Sequence, residues 1–163
     1  MPYTLLSMTA EHRKAVIDIF NHFVANDWSA YPEEPLDYGV YDRFLDMARG
    51  YPAFVAVSGD GTVVGFGFLH AYLPAATFSR SAEVTYFILP EHTRRGVGSR
   101  MLNAFTEAAR GRGVDSLLAS ISSRNEASLN FHKRHGFAEC GRMTAVGRKF
   151  GEDFDVVWMQ KRI

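Results

Sequence analysis

The chain has a single cysteine, no net charge and no hydrophobic run long enough to cross a membrane. The lone Cys140 excludes an intrachain disulfide, which fits a reducing compartment. The 18 Lys and Arg side chains balance 18 Asp and Glu side chains, so no global basic field attracts nucleic acid. The longest apolar run, residues 63–73, is shorter than the roughly 20 residues that span a bilayer. The N-terminus also lacks a charged region followed by an apolar core. We therefore expect a cytoplasmic protein with no nucleic-acid and no membrane partner.

Size and composition predict one ordinary globular domain. The 163 residues are 47% hydrophobic and 22% charged, values typical of soluble domains. A chain of this length buries about two thirds of its unfolded surface, so it can fold without a metal or a disulfide. With no repeat and no long linker in the sequence, we predict a single domain over residues 1–163.

Hydrophobic periodicity and turn residues predict a mixed α/β sheet. Helical spacing of apolar residues predicts helices over residues 10–25, 40–49, 96–110 and 125–135. Strand patterns fall on residues 3–7, 53–58, 62–71, 82–89, 116–122, 137–145 and 154–161. The segment Gly59-Asp60-Gly61 predicts a hairpin turn between two of these strands. This order favours a central sheet with about four helices on its faces over a regular doubly wound fold.

The segment Thr93-Arg94-Arg95-Gly96-Val97-Gly98-Ser99 has the features of an anion site. It precedes a predicted helix, whose first turn has free N–H groups and a partial positive charge. Its two glycines would let the backbone approach a pyrophosphate, and its two arginines add positive charge. A dinucleotide fingerprint would need a third glycine at Met101, and a nucleotide-hydrolase loop would need Gly-Lys-Ser/Thr. The alternative is a glycine-rich helix start with solvated arginines.

This loop and the run from Asn125 to Phe137 together resemble the motifs of the GNAT superfamily of acetyltransferases. That family has Gln/Arg-x-x-Gly-x-Gly/Ala after a strand, followed later by a helix that ends in Gly-Phe. Thr93 departs from the pattern, where Gln or Arg is usual. The sequences Ala82-Glu83-Val84 and Ser128-Leu129-x-x-His132 resemble the phosphinothricin and L-amino acid N-acetyltransferases within the superfamily. The segment 73–80 departs from that group, which leaves the exact substrate open.

The resemblance implies the GNAT acyl-CoA N-acyltransferase fold and acetyl-CoA as the co-substrate, with no metal. It further implies direct attack of an amine on the thioester, beside two strands that splay apart. An N–H group there, that of Ile88, would face the thioester oxygen. Related enzymes are commonly homodimers. The 13 Phe and 7 Tyr residues exceed what core packing needs, so some of them could form a dimer interface. The implied acetyl-CoA site comprises Phe87, Ile88, Leu89, Arg94, Arg95, Gly96, Val97, Gly98, Ser99, Arg100, Asn125 and Ser128.

Glu83 and His132 are the candidate catalytic residues. Glu83 would act as general base, directly or through a water, with burial raising its pKa. The alternative is a solvated glutamate or one paired with Arg80. His132 would protonate the departing thiolate or relay a proton, or else only pack. His135 lies one turn further on, but no third ligand for a metal is evident.

Two further residues have open roles in the sequence. Asn125 could bind the pantetheine amides or cap the following helix, and both roles are compatible. Cys140 is expected to be a buried thiol with no role in catalysis.

The amine site is expected between the aromatic segment 28–38, which includes Tyr31, and the segment 73–80. Arg80 could pair with a substrate carboxylate, and Phe78 could cover an apolar side chain. Either could instead be structural, with Arg80 solvated and Phe78 in the core. The expected substrate is a small amino acid or an analogue such as phosphinothricin or methionine sulfoximine. The alternatives are a polyamine, an aminoglycoside, a protein N-terminus, or a non-catalytic acyl-CoA sensor.

Overall fold

The computed structural model describes residues 2–163, and a seven-stranded mixed sheet forms its centre. The strands lie in the order β1-β2-β3-β4-β5-β7-β6. Only the β4–β5 pair is parallel among the described residues. The strands are β1 (Thr4–Ser7), β2 (Ala53–Val57), β3 (Val63–Ala71), β4 (Ser81–Ile88), β5 (Ser116–Ser122), β6 (Ala138–Lys149) and β7 (Glu152–Arg162).

Four α-helices cover the two faces of this sheet, which confirms the predicted mixed α/β architecture. They are α1 (Arg13–Asn26), α2 (Tyr41–Met47), α3 (Val97–Arg110) and α4 (Glu126–Arg134). Side chains alternate between the faces of a strand, so the sheet contributes to two separate cores. One core surrounds Phe105 of α3, and the other surrounds Ile17 of α1 and Phe66 of β3. No helix among residues 2–163 is long and apolar enough to cross a membrane.

The amphipathic pattern of α3 explains how that helix packs. Its buried residues recur at intervals of three and four, so they form one stripe that faces the sheet. The stripe consists of Val97, Met101, Leu102, Phe105, Thr106 and Ala109.

The β4–β5 pair is short, and this shapes the site. The two strands are in register only over Ser81–Glu83 and Ser116–Leu118 within the described chain. Beyond that point β4 stays paired with β3 as far as Ile88, while β5 stays paired with β7 as far as Ser122. The two strands therefore diverge and leave a cleft between their facing edges, as the resemblance implied.

The β6–β7 hairpin is longer than the sequence predicts. The predicted strands stop at residue 145 and begin again at 154, whereas β6 and β7 continue to a two-residue turn at Phe150-Gly151. Both turn residues have positive φ, 54° and 74°, as in a type I′ hairpin turn. Phenylalanine is atypical there because a side chain disfavours this conformation, which explains why the turn was missed.

Cys140 is exposed, so the expectation of a buried thiol was wrong. It lies on β6, an edge strand whose residues are exposed along most of its length. An edge position leaves one side of the strand without a neighbour, so an apolar residue there is not necessarily buried.

Candidate active site

A cavity of about 250 Å³ opens where β4 and β5 diverge. Four parts of the chain line it: Phe20 of α1, residues 29–32 of the segment after α1, residues 83–87 of β4, and residues 119–122 of β5 together with Asn125, Ser128 and His132. Both candidate catalytic residues, Glu83 and His132, thus face the same cavity. Tyr31 lines the cavity too.

Glu83 occupies the start of β4, opposite His70 of β3. Its Oε2 lies 3.9 Å from Nε2 of His70. Burial raises the pKa of Glu83 to about 7 and lowers the pKa of His70. Because both shifts favour the neutral forms, we interpret this contact as a weak polar one rather than an ion pair. A carboxyl group that titrates near neutrality is suited to accept a proton from a substrate.

Tyr31 stands across the cavity from the strands. Its ring stacks on Phe154 of β7 with the ring centroids 5.6 Å apart. Burial raises the pKa of the Tyr31 hydroxyl, which lies near Ser120 and Glu83. Tyr31 therefore contributes a neutral hydroxyl to the cavity wall.

His132 is 3% exposed and bonded at both ring nitrogens. Its Nδ1 is 2.7 Å from the carbonyl oxygen of Ser128, so Nδ1 donates the hydrogen bond and Nε2 is unprotonated. The Tyr86 hydroxyl lies 2.6 Å from Nε2 and therefore donates to it. Burial lowers the pKa of His132 to about 4. At neutral pH this imidazole is a hydrogen-bond acceptor and has no proton to give from Nε2.

Tyr86 is a candidate functional residue that the sequence analysis missed. It lies three positions after Glu83, and strand alternation alone would place the two side chains on opposite faces of the sheet. The cleft brings both to one cavity because it opens at the strand's edge. The available signal was a tyrosine directly before the apolar end of β4, Phe87 and Ile88, since a buried tyrosine usually has a partner for its hydroxyl.

The backbone of β4 points alternately toward β3 and toward the cleft. The N–H group of Leu89 donates to the carbonyl of Val64 on the β3 side, at 2.9 Å. Because hydrogen-bonding direction alternates along a strand, the N–H groups of Ile88 and Tyr86 point to the cleft. This orientation suits the role expected of Ile88. It corrects the expectation for Leu89, whose N–H group is already bonded to Val64.

The start of α3 is open. Gly96 adopts φ 82°, and a Cβ built on it would meet no atom of residues 2–163 within 4 Å. Within the same residues no side chain caps this helix, and the N–H groups of a first turn have no partners inside their own helix. Arg94 and Arg95 are exposed beside this turn. The arrangement fits a phosphate group.

Gly98 has a packing role that the sequence did not predict. A Cβ on Gly98 would lie 3.2 Å from the Phe131 ring and 3.4 Å from Cδ1 of Ile88. The missing side chain therefore makes room for α4 and β4, and the backbone of Gly98 stays in the first turn of α3. Val97 is likewise 2% exposed, so it can offer only its backbone to the site.

Two other predicted cofactor-binding side chains are bonded within the protein. The guanidinium of Arg100 donates to the carbonyl of Tyr3 at 2.5 Å. The hydroxyl of Ser99 lies 2.8 Å from Nε2 of His135, whose Nδ1 is 2.8 Å from the carbonyl of Phe131. These contacts hold the two side chains against the protein surface.

Asn125 and Ser128 both line the cavity. The Oδ1 atom of Asn125 also accepts a hydrogen bond from the backbone N–H group of Ser128, with 3.2 Å between the two heavy atoms, and so caps α4. Asn125 therefore caps α4, as one of the two interpretations predicts, and it also lines the cavity.

Phe78 and Arg80 lie outside the cavity lining. Phe78 is 41% exposed and packs edge to face on Tyr72. Arg80 bonds Asp115 through Nε at 2.7 Å instead of approaching Glu83. The structure brings neither residue to the amine side of the cavity. Among residues 2–163 no cluster of three or more His, Cys, Asp or Glu side chains could hold a metal ion.

Known proteins with a similar sequence or fold identify the family of this chain. Residues 15–137 match the Acetyltransferase (GNAT) family, so the chain belongs to this family. The chain is 32% identical over 147 residues to an L-methionine sulfoximine/L-methionine sulfone acetyltransferase of Pseudomonas aeruginosa, across 89% of this chain and 86% of that protein.

Two solved structures are similar over nearly the whole fold. A GNAT superfamily phosphinothricin acetyltransferase from Sinorhizobium meliloti, in complex with acetyl-CoA, has a TM-score of 0.93 and 26% identity, and the match covers 100% of this chain and 89% of that one. A ribosomal-protein-alanine N-acetyltransferase from Brucella melitensis has a TM-score of 0.89 and 30% identity, over 98% and 99% of the two chains. The predicted GNAT fold is therefore confirmed.

Proposed function

We propose that the chain is an acetyl-CoA-dependent N-acetyltransferase that acetylates the amino group of a small amino acid or a close analogue. The observation that carries this proposal is Glu83, a half-buried carboxyl group with a pKa of about 7 in a cavity of about 250 Å³. The acetyl-CoA-bound relative and the methionine sulfoximine acetyltransferase support the two substrates.

The acetyl-CoA site lies along the open start of α3 and the cleft edge of β4. The first-turn N–H groups of α3, with Arg94 and Arg95, would hold the pyrophosphate. The cleft-facing backbone of Tyr86 and Ile88 would pair with the pantetheine arm. The open space at Gly96 fits this arrangement, because a ligand phosphate can approach the backbone there.

Acetyl transfer then uses three groups of this chain. Glu83 accepts a proton from the substrate ammonium, directly or through a water, and frees the nitrogen lone pair. The nitrogen bonds to the thioester carbon while the Ile88 N–H group faces the developing oxyanion. The carbon–sulfur bond then breaks and the thiolate leaves, while the nitrogen gives up its second proton, which ends on the sulfur as the free thiol. The Tyr86 hydroxyl turns its single proton from Nε2 of His132 to that thiolate as the thiolate forms, and the contact with neutral His132 holds the hydroxyl in place until then.

The cavity favours a small amine over a polycation. Glu83 is the sole carboxylate among the described residues that line it, whereas polyamines and aminoglycosides need several. The Brucella relative supports a protein N-terminal alanine as the second candidate substrate.

We further propose a cytoplasmic homodimer. The hairpin of β6 and β7 exposes Met143, Val146 and Phe150 to between 45% and 54%. Neighbouring apolar side chains of this size on one edge are typical of an interface.

The activity is tested by measuring free-thiol release from acetyl-CoA with a panel of amines. The panel contains L-amino acids, methionine sulfone and sulfoximine, phosphinothricin, polyamines, an aminoglycoside and an alanine-starting peptide. We expect saturable turnover with an amino-acid-like member. Turnover with the peptide alone would establish the second candidate. Acetyl-CoA binding without thiol release for any amine would contradict the proposal and favour a sensor.

The Glu83→Gln variant tests the base. We expect kcat to fall by about 100-fold or more, since general bases typically contribute that much, while the Kd for acetyl-CoA stays unchanged. Wild-type kcat/KM should rise with pH up to about 7, where Glu83 becomes ionised, and the variant should lose this rise. Glu34→Gln, at an exposed position, is the matched control. A wild-type pH profile in Glu83→Gln would exclude Glu83 as the base.

A further inference from the structure

Lys149 is a buried ammonium group outside the predicted catalytic set. It lies at the end of β6, is 1% exposed, and directs Nζ toward the chain that follows α1. Its Nζ is 2.6 Å from the carbonyl oxygen of Asp27, 2.7 Å from that of Ala30 and 3.5 Å from that of Phe23. The three ammonium protons thus face three carbonyl oxygens.

The position of these carbonyls explains why a buried cation is tolerated. The last carbonyl groups of a helix have no partners within the helix and carry a partial negative charge. Asp27 directly follows α1, and Phe23 lies in the last turn with a carbonyl that also accepts a hydrogen bond from the Asp27 N–H group, so Lys149 caps this end from a distant strand. Burial lowers the pKa of Lys149, and the charges of Asp27 and Glu33 oppose that effect.

The segment that Lys149 holds is also a wall of the cavity. Residues 29–32 line the cavity together with β4 and β5, and the proposed function assigns the amine to this part of it. Further contacts join this segment to the hairpin tip: the Trp28 indole donates to the carbonyl of Lys149 at 3.3 Å, and Tyr31 stacks on Phe154. A Cβ on Gly147 would overlap the Phe154 ring, so Gly147 makes room for that stack.

We propose that Lys149 is a positioning residue that fixes segment 27–32 as the wall of the amine site. The acetyl-CoA site, at α3 and the edge of β4, makes none of these contacts with Lys149 among the described residues. Loss of the ammonium group should therefore loosen the amine site and spare the acetyl-CoA site. The amine half of this inference rests on the proposed function, whereas the ordering of segment 27–32 does not.

The first test measures amide hydrogen exchange in Lys149→Met. We expect exchange in peptides that cover residues 27–32 to be about tenfold faster or more, because local opening becomes easier, and exchange in α3 to be unchanged. Lys149→Arg, which keeps the charge, should restore much of the protection. Arg148→Met is the matched control, since this neighbouring cation is on the exposed side of the hairpin and bonds Asp153. If Lys149→Met does not fold, Lys149→Gln replaces it with the same expected results.

Unchanged exchange in 27–32, or equally faster exchange in all peptides, would overturn the positioning role. A second test separates the two substrates: KM for the amine should rise by about tenfold, with kcat and KM for acetyl-CoA within about twofold of wild type. Equal effects on both KM values would overturn the inference and leave the proposed function standing. If wild-type protein acetylates no amine, the proposed function fails, and the exchange experiment still decides the role of Lys149.

Discussion

At the scale of single residues, burial moves two titrating groups of one cavity in opposite directions. The pKa of Glu83 rises to about 7, and the pKa of His132 falls to about 4. Both shifts have the same cause, because burial disfavours a charge whether it is an anion or a cation. A glutamate thereby becomes a base that works near neutrality, and a histidine becomes a neutral hydrogen-bond acceptor. Both residues are evident in the sequence motifs, but the proton expected on His132 for the leaving thiolate is absent from Nε2 in this environment.

Replacing Tyr86 with phenylalanine tests whether its hydroxyl acts on the leaving group. We expect kcat to fall by about tenfold to 100-fold with little change in either KM, because the hydrogen bond to the thiolate forms as the carbon–sulfur bond breaks. Steady-state kinetics with both substrates varied would measure this.

Tyr3→Phe provides a matched control for Tyr86→Phe. The Tyr3 hydroxyl lies 3.0 Å from Nδ1 of His92, so this variant also removes a tyrosine–histidine hydrogen bond, but outside the cavity lining. We expect Tyr3→Phe to change stability and leave kcat near wild type. Equal kcat in wild type and Tyr86→Phe would exclude a role for the Tyr86 hydroxyl in transfer.

At the scale of elements, the sequence predicts what depends on local periodicity. The apolar stripe of α3 and the glycine turn between β2 and β3 are local signals, and both elements form as predicted. The hairpin tip at Phe150-Gly151 was missed because its first residue has a side chain that disfavours positive φ. That turn forms within a long β6–β7 ladder, whose pairing a local sequence pattern does not reveal.

The same distinction applies to the candidate site. Glu83 and His132 were identified from motifs that are contiguous in the chain. Tyr86 and Lys149 were missed, because each acts through a partner far away in sequence: His132 for Tyr86, and the end of α1 for Lys149. Their roles depend on where β4 and β5 diverge and on how the hairpin folds back, which are tertiary features.

The close approach of β3 and β4 makes Gly67 a sensitive position. A Cβ on Gly67 would lie 2.5 Å from Cβ of Tyr86 and 2.9 Å from Sδ of Met101. We expect Gly67→Ala to destabilise the fold by about 1–3 kcal/mol, the usual cost of overpacking. The displacement of Tyr86 should also lower kcat in the fraction that remains folded. Urea unfolding and steady-state turnover would measure the two effects.

Gly141→Ala is the matched control for that substitution. Gly141 also lies in a strand, but the nearest atom to an added Cβ is Cβ of Trp158, 4.0 Å away. We expect its stability to stay within about 0.5 kcal/mol of wild type and its turnover to be unchanged. If both alanine variants were equally stable and active, close packing at Gly67 would not position Tyr86.

At the scale of the whole molecule, Glu83 and His132 oppose each other in the pH dependence of stability. Between pH 4.5 and about 7 the folded state holds a proton on Glu83 that the unfolded state releases, so stability falls as pH rises. Between about pH 4 and 6.5 the unfolded state holds a proton on His132 that the folded state lacks, so stability rises with pH. The two effects largely cancel between pH 4.5 and 6.5.

The Glu83→Gln variant should remove one side of this balance. We expect the free energy of unfolding of wild type to change little between pH 4.5 and 6.5. That of the variant should rise by up to about 3 kcal/mol, since one pKa unit corresponds to 1.36 kcal/mol. The burial-lowered pKa of His70 acts in the same direction as that of His132. Aspartates with lowered pKa values, such as Asp18 and Asp155, contribute mainly below their ordinary value of 3.8. Urea unfolding across this range would measure the difference, and parallel curves for both proteins would show that Glu83 keeps an ordinary pKa in the fold.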